Sequence, residues 1–190
     1  MTLWPGGTIC IWSVRTRLTQ ATVLECDVPI ASALDRHRVA DAYFKDAYST
    51  ALSHADVGVV DLFAAVFAHH PLWIKLALIA RNRLASIAGL DVPKVSDILH
   101  PTIKTSYVVG DQIGPWPLFY LSETELIAGR NNGHLDFRLS VLKQGYAKVV
   151  ISTICNVHNR WGKIYLFFIE PFHRWGVRRL IADAVSAGRL

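Results

Sequence analysis

The sequence predicts an α+β domain in which a curved antiparallel sheet wraps around a long C-terminal helix, the arrangement called a helix grip. Three observations predict it: helical periodicity is confined to a pair of segments after the first strand and to the end of the chain, a run of about five or six short β segments lies between them, and the last segment is amphipathic. A sheet must cover its apolar face, and the terminal helix is the element available to do so.

The composition is that of one globular domain. The 190 residues are 52% apolar and 18% charged, which provides for a sizeable core. We divide the chain into an N-terminal extension, residues 1–24, and a single domain, residues 25–190. No stretch free of Asp, Glu, Lys and Arg approaches the ~20 residues that a membrane span needs. Three widely spaced cysteines and an N-terminus without a secretory pattern predict a cytoplasmic protein with reduced thiols.

The first half of the domain predicts one strand and two helices. Alternating aromatic residues at 40–49 indicate the strand. Apolar residues at intervals of three and four from Val59 then predict a helix that ends at His70. Pro71 suits the first turn of a second helix, which extends to Gly89.

The second half predicts a meander of antiparallel strands followed by one helix. Gly145 marks the turn of a hairpin, a turn at 159–162 precedes the last strand, and Glu170-Pro171 opens the terminal helix. The predicted strands are 106–109, 116–121, 124–129, 134–142, 148–158 and 163–169.

An unbroken polar alternation on the predicted strand 134–142 gives the candidate site. Period-two geometry places His134, Asp136, Arg138 and Ser140 on one face of the sheet. If paired positions in the hairpin add up to about 290, Arg138 lies beside Ser152 and His134 lies beside Asn156. These two partners, together with His158, then extend the polar face.

Two interpretations of this face stay open. It is either the solvated outside of the sheet or the lining of a cavity under the terminal helix. Outward faces usually carry Lys and Glu, and this one carries His, Asp, Ser and Asn, which favours the cavity. Trp116, between two prolines, is placed at the cavity entrance. The predicted ligand-binding residues are therefore His134, Asp136, Arg138, Asn156, His158 and Trp116.

Several classes of site are not supported by any motif. The histidines lack HExxH spacing, no glycine pattern suits a nucleotide, and Ser140 lacks the GxSxG context, so we predict no metal, no cofactor and no triad. Basic residues are spread thinly despite a net charge of +5, so we predict no nucleic-acid partner. His69, His70 and His173 are interpreted as capping or surface residues.

One tryptophan and two short blocks of sequence resemble those of a known protein family. Trp116, the block HLDFRLS at 134–140 and the block EPFHR at 170–174 resemble a bacterial family of unknown function, related to the START-like, polyketide-cyclase and pollen-allergen superfamily. The resemblance covers residues 23–190. It implies a helix-grip cavity for an apolar or amphipathic small molecule. Some similar domains are joined to oxidoreductases, which implies an oxidoreductase partner.

Three functions follow as alternatives. The first is a module that binds an apolar or amphipathic small molecule in the cavity. The second is an enzyme of cyclase or hydrolase type in which His134 or His158 is the general base and Asp136 holds its tautomer. The third is an interaction domain whose exposed aromatic residues and basic terminal helix dock a partner protein. A filled interior without a cavity, together with a large apolar surface patch, would favour it.

Overall fold

A computed structural model describes residues 22–69, 104 and 106–190. The predicted helix at 71–89 and most of the N-terminal extension lie outside the described residues. The division of the chain at residue 24 stays a prediction.

The described residues form one curved, open, antiparallel sheet with three helices, which confirms the predicted α+β fold of helix-grip type. The seven strands lie in the order β1-β2-β7-β6-β5-β4-β3. They are β1 Leu24–Glu25, β2 Phe44–Ala51, β3 Gln112–Ile113, β4 Trp116–Leu121, β5 Glu125–Asn131, β6 Leu135–Gln144 and β7 Lys148–Val157. The helices are α1 Arg36–Ala40, α2 Val59–Phe67 and α3 Arg160–Ser186.

The predicted β6–β7 hairpin is confirmed, but its register differs from the prediction by two residues. Gly145 takes a positive φ of 63° at the turn. Asp136 pairs with Asn156 and Arg138 pairs with Ile154, so Arg138 does not lie beside Ser152. A shift of two leaves every side chain on the face that alternation predicted.

The predicted strand at 163–169 is wrong, because these residues belong to α3. The Asn159 side chain accepts hydrogen bonds from the backbone N–H groups of Trp161 and Gly162, both at 3.1 Å, and so caps a helix there. The helix continues through Pro171, which the sequence analysis took as its first turn. Capping and packing thus outweigh the aromatic, β-branched composition of this segment.

Three other assignments differ from the prediction. Residues 106–109 are not a strand, because the Asp111 carboxylate accepts a hydrogen bond from the Val108 N–H at 3.0 Å and closes a turn ahead of β3. β2 begins at Phe44 and not at residue 40, since Ala40 is the last residue of α1. Helix α2 ends at Phe67, three residues before the predicted His70.

The two faces of the sheet are covered by different elements. We call the face under α2 and α3 the helical face. Its core is formed by side chains such as Leu62, Val66, Leu126, Val141, Ile151, Ile181 and Ala184, each at most 1% exposed. We call the opposite face the outer face, where Leu34 and Val39 from the α1 region pack on Ile127 and Ile154. No helix within the described ranges is long and apolar enough to cross a membrane.

Candidate functional site

The polar residues of β6 lie on the outer face, and they are buried there. Asp136 and Arg138 are each 8% exposed and Ser140 is fully buried, so these three residues are not the solvated outside of a sheet. Leu139 and Val141, which alternate with them, pack in the core of the helical face. The polar side chains therefore point away from α3 and toward α1, not into the space between the sheet and the terminal helix where the sequence analysis put them.

Asp136 is the centre of a group of charged side chains on this face. Its Oδ2 lies 3.2 Å from Arg38 Nη1, and its Oδ1 lies 3.1 Å from His158 Nε2. Asn156 adds a further link, since its Nδ2 donates to the Arg38 carbonyl oxygen at 2.9 Å and holds α1 against β7. We call Arg38, Asp136, Arg138, Asn156 and His158 the Asp136 cluster. Its Arg38 and His158 side chains are 43% and 45% exposed, so the cluster is open to solvent at its rim.

Arg138 brings a second cation into the cluster. Its guanidinium stacks on Phe119, 3.7 Å from the ring centre, and its Nη1 donates to the Phe137 carbonyl oxygen at 2.8 Å. Burial lowers the pKa of Arg138 from its ordinary value, and the positive charge of Arg38 lowers it further, while Asp136 acts in the opposite direction. The cluster thus holds two guanidinium groups and one carboxylate, of which Arg38 and Asp136 form an ion pair, and this leaves an excess of positive charge.

His134 and Trp116 are not part of this cluster. The His134 ring contacts the side-chain amide of Asn159, with Nδ1 3.2 Å from Oδ1, and so joins the start of β6 to the cap of α3. Trp116 lies on the helical face, edge-on to Phe63 and Phe137 with ring centres 6.1 and 5.9 Å away. Of the six predicted site residues, the structure brings Asp136, Arg138, Asn156 and His158 together.

The sequence analysis missed Arg38. It comes from α1, a helix of five residues with a single buried side chain, Val39, and so too short to show periodicity. The available signal was Asp35, whose side chain accepts from the Arg38 N–H at 2.9 Å and caps the helix.

Glu125 was also missed, and it fixes the segment that leads into α1. This side chain on β5 is 2% exposed. It accepts hydrogen bonds from the Ala33 N–H and from the hydroxyl group of Ser140, both at 2.6 Å, and from the hydroxyl group of Ser32. A buried carboxylate with three donors is a strong anchor, and it ties residues 32 and 33 to the outer face next to the cluster.

A second polar group lies on the helical face, under α3. His173 Nε2 is 3.5 Å from Asp46 Oδ2 and 3.2 Å from Thr153 Oγ1. His173 therefore contacts the sheet, where the sequence analysis favoured a surface or capping role. Burial, together with the charge of Asp46, raises the pKa of the neighbouring Tyr48 to about 12.

The described part of the chain contains no group of three or more His, Cys, Asp or Glu side chains arranged to hold a metal ion. The Asp136 cluster offers one carboxylate and one imidazole beside two guanidinium groups. Such a set suits the binding of an anion or the positioning of a general base.

Comparisons with known proteins give one match. Residues 38–180 match the model of a family described as Protein of unknown function (DUF2867). No curated protein and no solved structure matches the chain.

Proposed function

The chain belongs to the DUF2867 family of proteins of unknown function, and from that premise we propose that the domain binds an amphipathic small molecule whose anionic group lies against the Asp136 cluster. The observation that carries the proposal is the excess charge: Arg38 pairs with Asp136, whereas the nearby guanidinium of Arg138, 8% exposed, contacts the Phe119 ring and the Phe137 carbonyl oxygen. A charge buried in this way is stabilised when an opposite charge joins it.

The chemistry of the ligand follows from the donors. A guanidinium presents a planar fork that matches a carboxylate or a phosphate. Phe119, stacked under Arg138 and 37% exposed, offers an aromatic surface to the apolar part of the same molecule. This retains the amphipathic ligand expected from the sequence and moves its polar group to the outer face.

Three probes of equal chain length test the proposal: decanoate, decanol and decyltrimethylammonium. We expect the purified protein to bind decanoate at least tenfold more tightly than the other two in isothermal titration calorimetry. Arg138→Gln removes the preference, and Arg138→Lys, which keeps the charge without the fork, weakens it. Arg179→Gln is the matched control on the exposed side of α3 and leaves the affinity unchanged. Equal affinity for all three probes would contradict the proposal.

A second function is favoured by one contact, the 3.1 Å separation of His158 Nε2 and Asp136 Oδ1. A carboxylate in this position holds the proton on Nε2 and leaves Nδ1 as a base, which is the pairing that a cyclase or hydrolase needs. His134, whose ring contacts Asn159, does not fit that role.

One experiment distinguishes the binding module from the enzyme. A molecule that co-purifies with the protein is identified by native mass spectrometry and is then incubated with fresh protein. Conversion that His158→Asn abolishes, with binding retained, would establish the enzyme. Binding without conversion supports the binding module. The oxidoreductase partner implied by the resemblance stays a prediction.

A further inference from the structure

Helix α3 carries a continuous apolar face that points away from the sheet. Six large side chains on it are between 47% and 73% exposed: Trp161, Ile164, Phe167, Phe168, Phe172 and Trp175. The opposite side of the helix is buried against the sheet through Leu166, Val177 and Ile181. Exposed apolar patches of this extent mark an interaction surface.

The spacing of these residues makes the face straight. Positions 161, 164, 168, 172 and 175 recur at intervals of three and four, which places them on one side of an α-helix. At 1.5 Å per residue the face extends over ~21 Å. A tryptophan lies at each end of it, with phenylalanines between. We call this the aromatic face.

Basic residues follow one edge of the aromatic face. Arg160, Lys163 and Arg178 are exposed and lie within about 60° of one another around the helix, whereas Arg174 on the same edge is held by Glu25 and Glu170. The acidic residues of α3 are Glu170 and Asp183, and each pairs with an arginine of the helix, at 3.1 and 3.0 Å. The exposed side of α3 is therefore cationic as well as apolar.

The two long segments outside the described residues do not offer the complementary charge. Residues 1–21 contain two arginines and no acidic residue. Residues 70–103 contain four basic residues, Lys75, Arg81, Arg83 and Lys94, and two acidic residues, Asp91 and Asp97. A second copy of α3 would bring like charges together. The charge favours an anionic partner outside the chain.

We propose that α3 lies flat on an anionic lipid surface, with the aromatic face in the interfacial region and the basic edge against the lipid head groups. Tryptophan and phenylalanine on one side of a helix, with lysine and arginine beside them, are typical of helices that bind in the plane of a membrane. The Asp136 cluster is on the other side of the sheet, so a ligand can reach it while α3 is bound.

The test uses the full chain and two kinds of vesicle, phosphatidylcholine alone and phosphatidylcholine with about 30 mol% phosphatidylserine. We expect co-sedimentation at least tenfold stronger with the anionic vesicles, a blue shift of tryptophan fluorescence on binding, and loss of binding as salt is raised. Equal binding to both vesicles, or none, overturns the proposal.

Substitutions test the aromatic face and the basic edge of α3 separately. The pair Phe168→Asp and Phe172→Asp abolishes binding, and the pair Arg160→Glu and Arg178→Glu lowers it at least tenfold. Tyr146→Asp is the matched control, since Tyr146 is an aromatic side chain 82% exposed at the β6–β7 turn. All these positions are exposed, and circular dichroism checks that each variant folds. Analytical ultracentrifugation tests for self-association. If the wild type is a dimer and the Phe168/Phe172 variant is a monomer, the aromatic face serves self-association and the proposal is overturned.

Discussion

Asp136 and His158 meet at the open end of the β6–β7 hairpin, with 3.1 Å between the carboxylate oxygen and the imidazole nitrogen, while Arg38 from α1 binds the second oxygen of the same carboxylate. One acidic side chain thus joins the β6–β7 hairpin to helix α1, since Asp136 and Arg38 are 98 residues apart in the sequence. Its removal tests how much the cluster contributes to the fold.

Replacing Asp136 by Asn leaves Arg38, Arg138 and His158 without a negative charge. We expect the free energy of unfolding to fall by ~1–3 kcal/mol, since a buried group that loses its charged partner keeps its desolvation cost. Asp183→Asn is the control, because the Asp183–Arg179 pair is exposed and contributes ~0–1 kcal/mol. Urea denaturation of both variants measures the difference. Equal losses would mean that the cluster does not stabilise the fold.

Replacing Glu125 by Gln tests the anchor of the α1 segment. The new amide keeps the shape of the side chain but puts a donor against one of three existing donors, from Ser32, Ala33 and Ser140. We expect a loss of ~1–3 kcal/mol in unfolding free energy. Faster hydrogen exchange in residues 32–40 should accompany it. Unchanged exchange in that segment would contradict the assignment of Glu125 as its anchor.

Two glycines of α3 should respond in opposite directions to alanine. At Gly162 a Cβ would lie 2.4 Å from the His134 carbonyl oxygen and 2.7 Å from Val157 Cγ1, so Gly162→Ala forces the helix start away from the sheet. At Gly176 a Cβ meets nothing within 4 Å, and Gly176→Ala should stabilise the protein by up to ~1 kcal/mol through helix propensity. Thermal unfolding compares the two. If Gly162→Ala unfolds at a higher temperature than the wild type, Gly162 is not in close contact with the His134 carbonyl group in solution.

Tyr48 should make stability depend on alkaline pH. Its pKa is raised to about 12 from an ordinary value of 10.0, so the unfolded chain loses this proton at lower pH than the folded protein does. The stabilisation is complete below pH 10 and is lost as the pH rises toward 12. We expect the unfolding free energy to decline more steeply over this range in the wild type than in Tyr48→Phe, by an amount on the order of 2 kcal/mol. If the unfolding free energies of the wild type and of Tyr48→Phe fall in parallel with pH, the raised pKa of Tyr48 is not the cause of the decline.

Alternation in the sequence was sufficient to assign the polar residues of β6 to one face. It could not tell which face of the sheet that was, because period-two geometry is symmetric. Arg138 was therefore predicted to face the cavity, and Trp116 to lie at its entrance, only on the assumption that α3 covers the polar face of β6. Trp116 is half-buried and packs with Phe63 and Phe137 against the core of the helical face.

Helix α3 shows why the end of the chain was predicted in part. Its C-terminal portion has the expected apolar stripe, including Leu180 and Ile181. Its N-terminal portion has apolar residues on both the buried and the exposed sides, such as Leu166 and Phe167, so the helical period is obscured and the composition resembles a strand. The exposed aromatic residues that hid the helix are the ones to which we assign a binding role.

The order of strands has a consequence for biosynthesis. β2, at residues 44–51, has its long neighbour in β7, at residues 148–157, and pairs on its other side with only the two residues of β1. About 100 residues must leave the ribosome between the two partners, so β2 lacks its long neighbour until the β6–β7 hairpin emerges. Tyr48 packs in the same core cluster as α2, which is made soon after β2, whereas Phe44 packs against Leu135 and Leu166 and is covered only after the hairpin and α3 have been made.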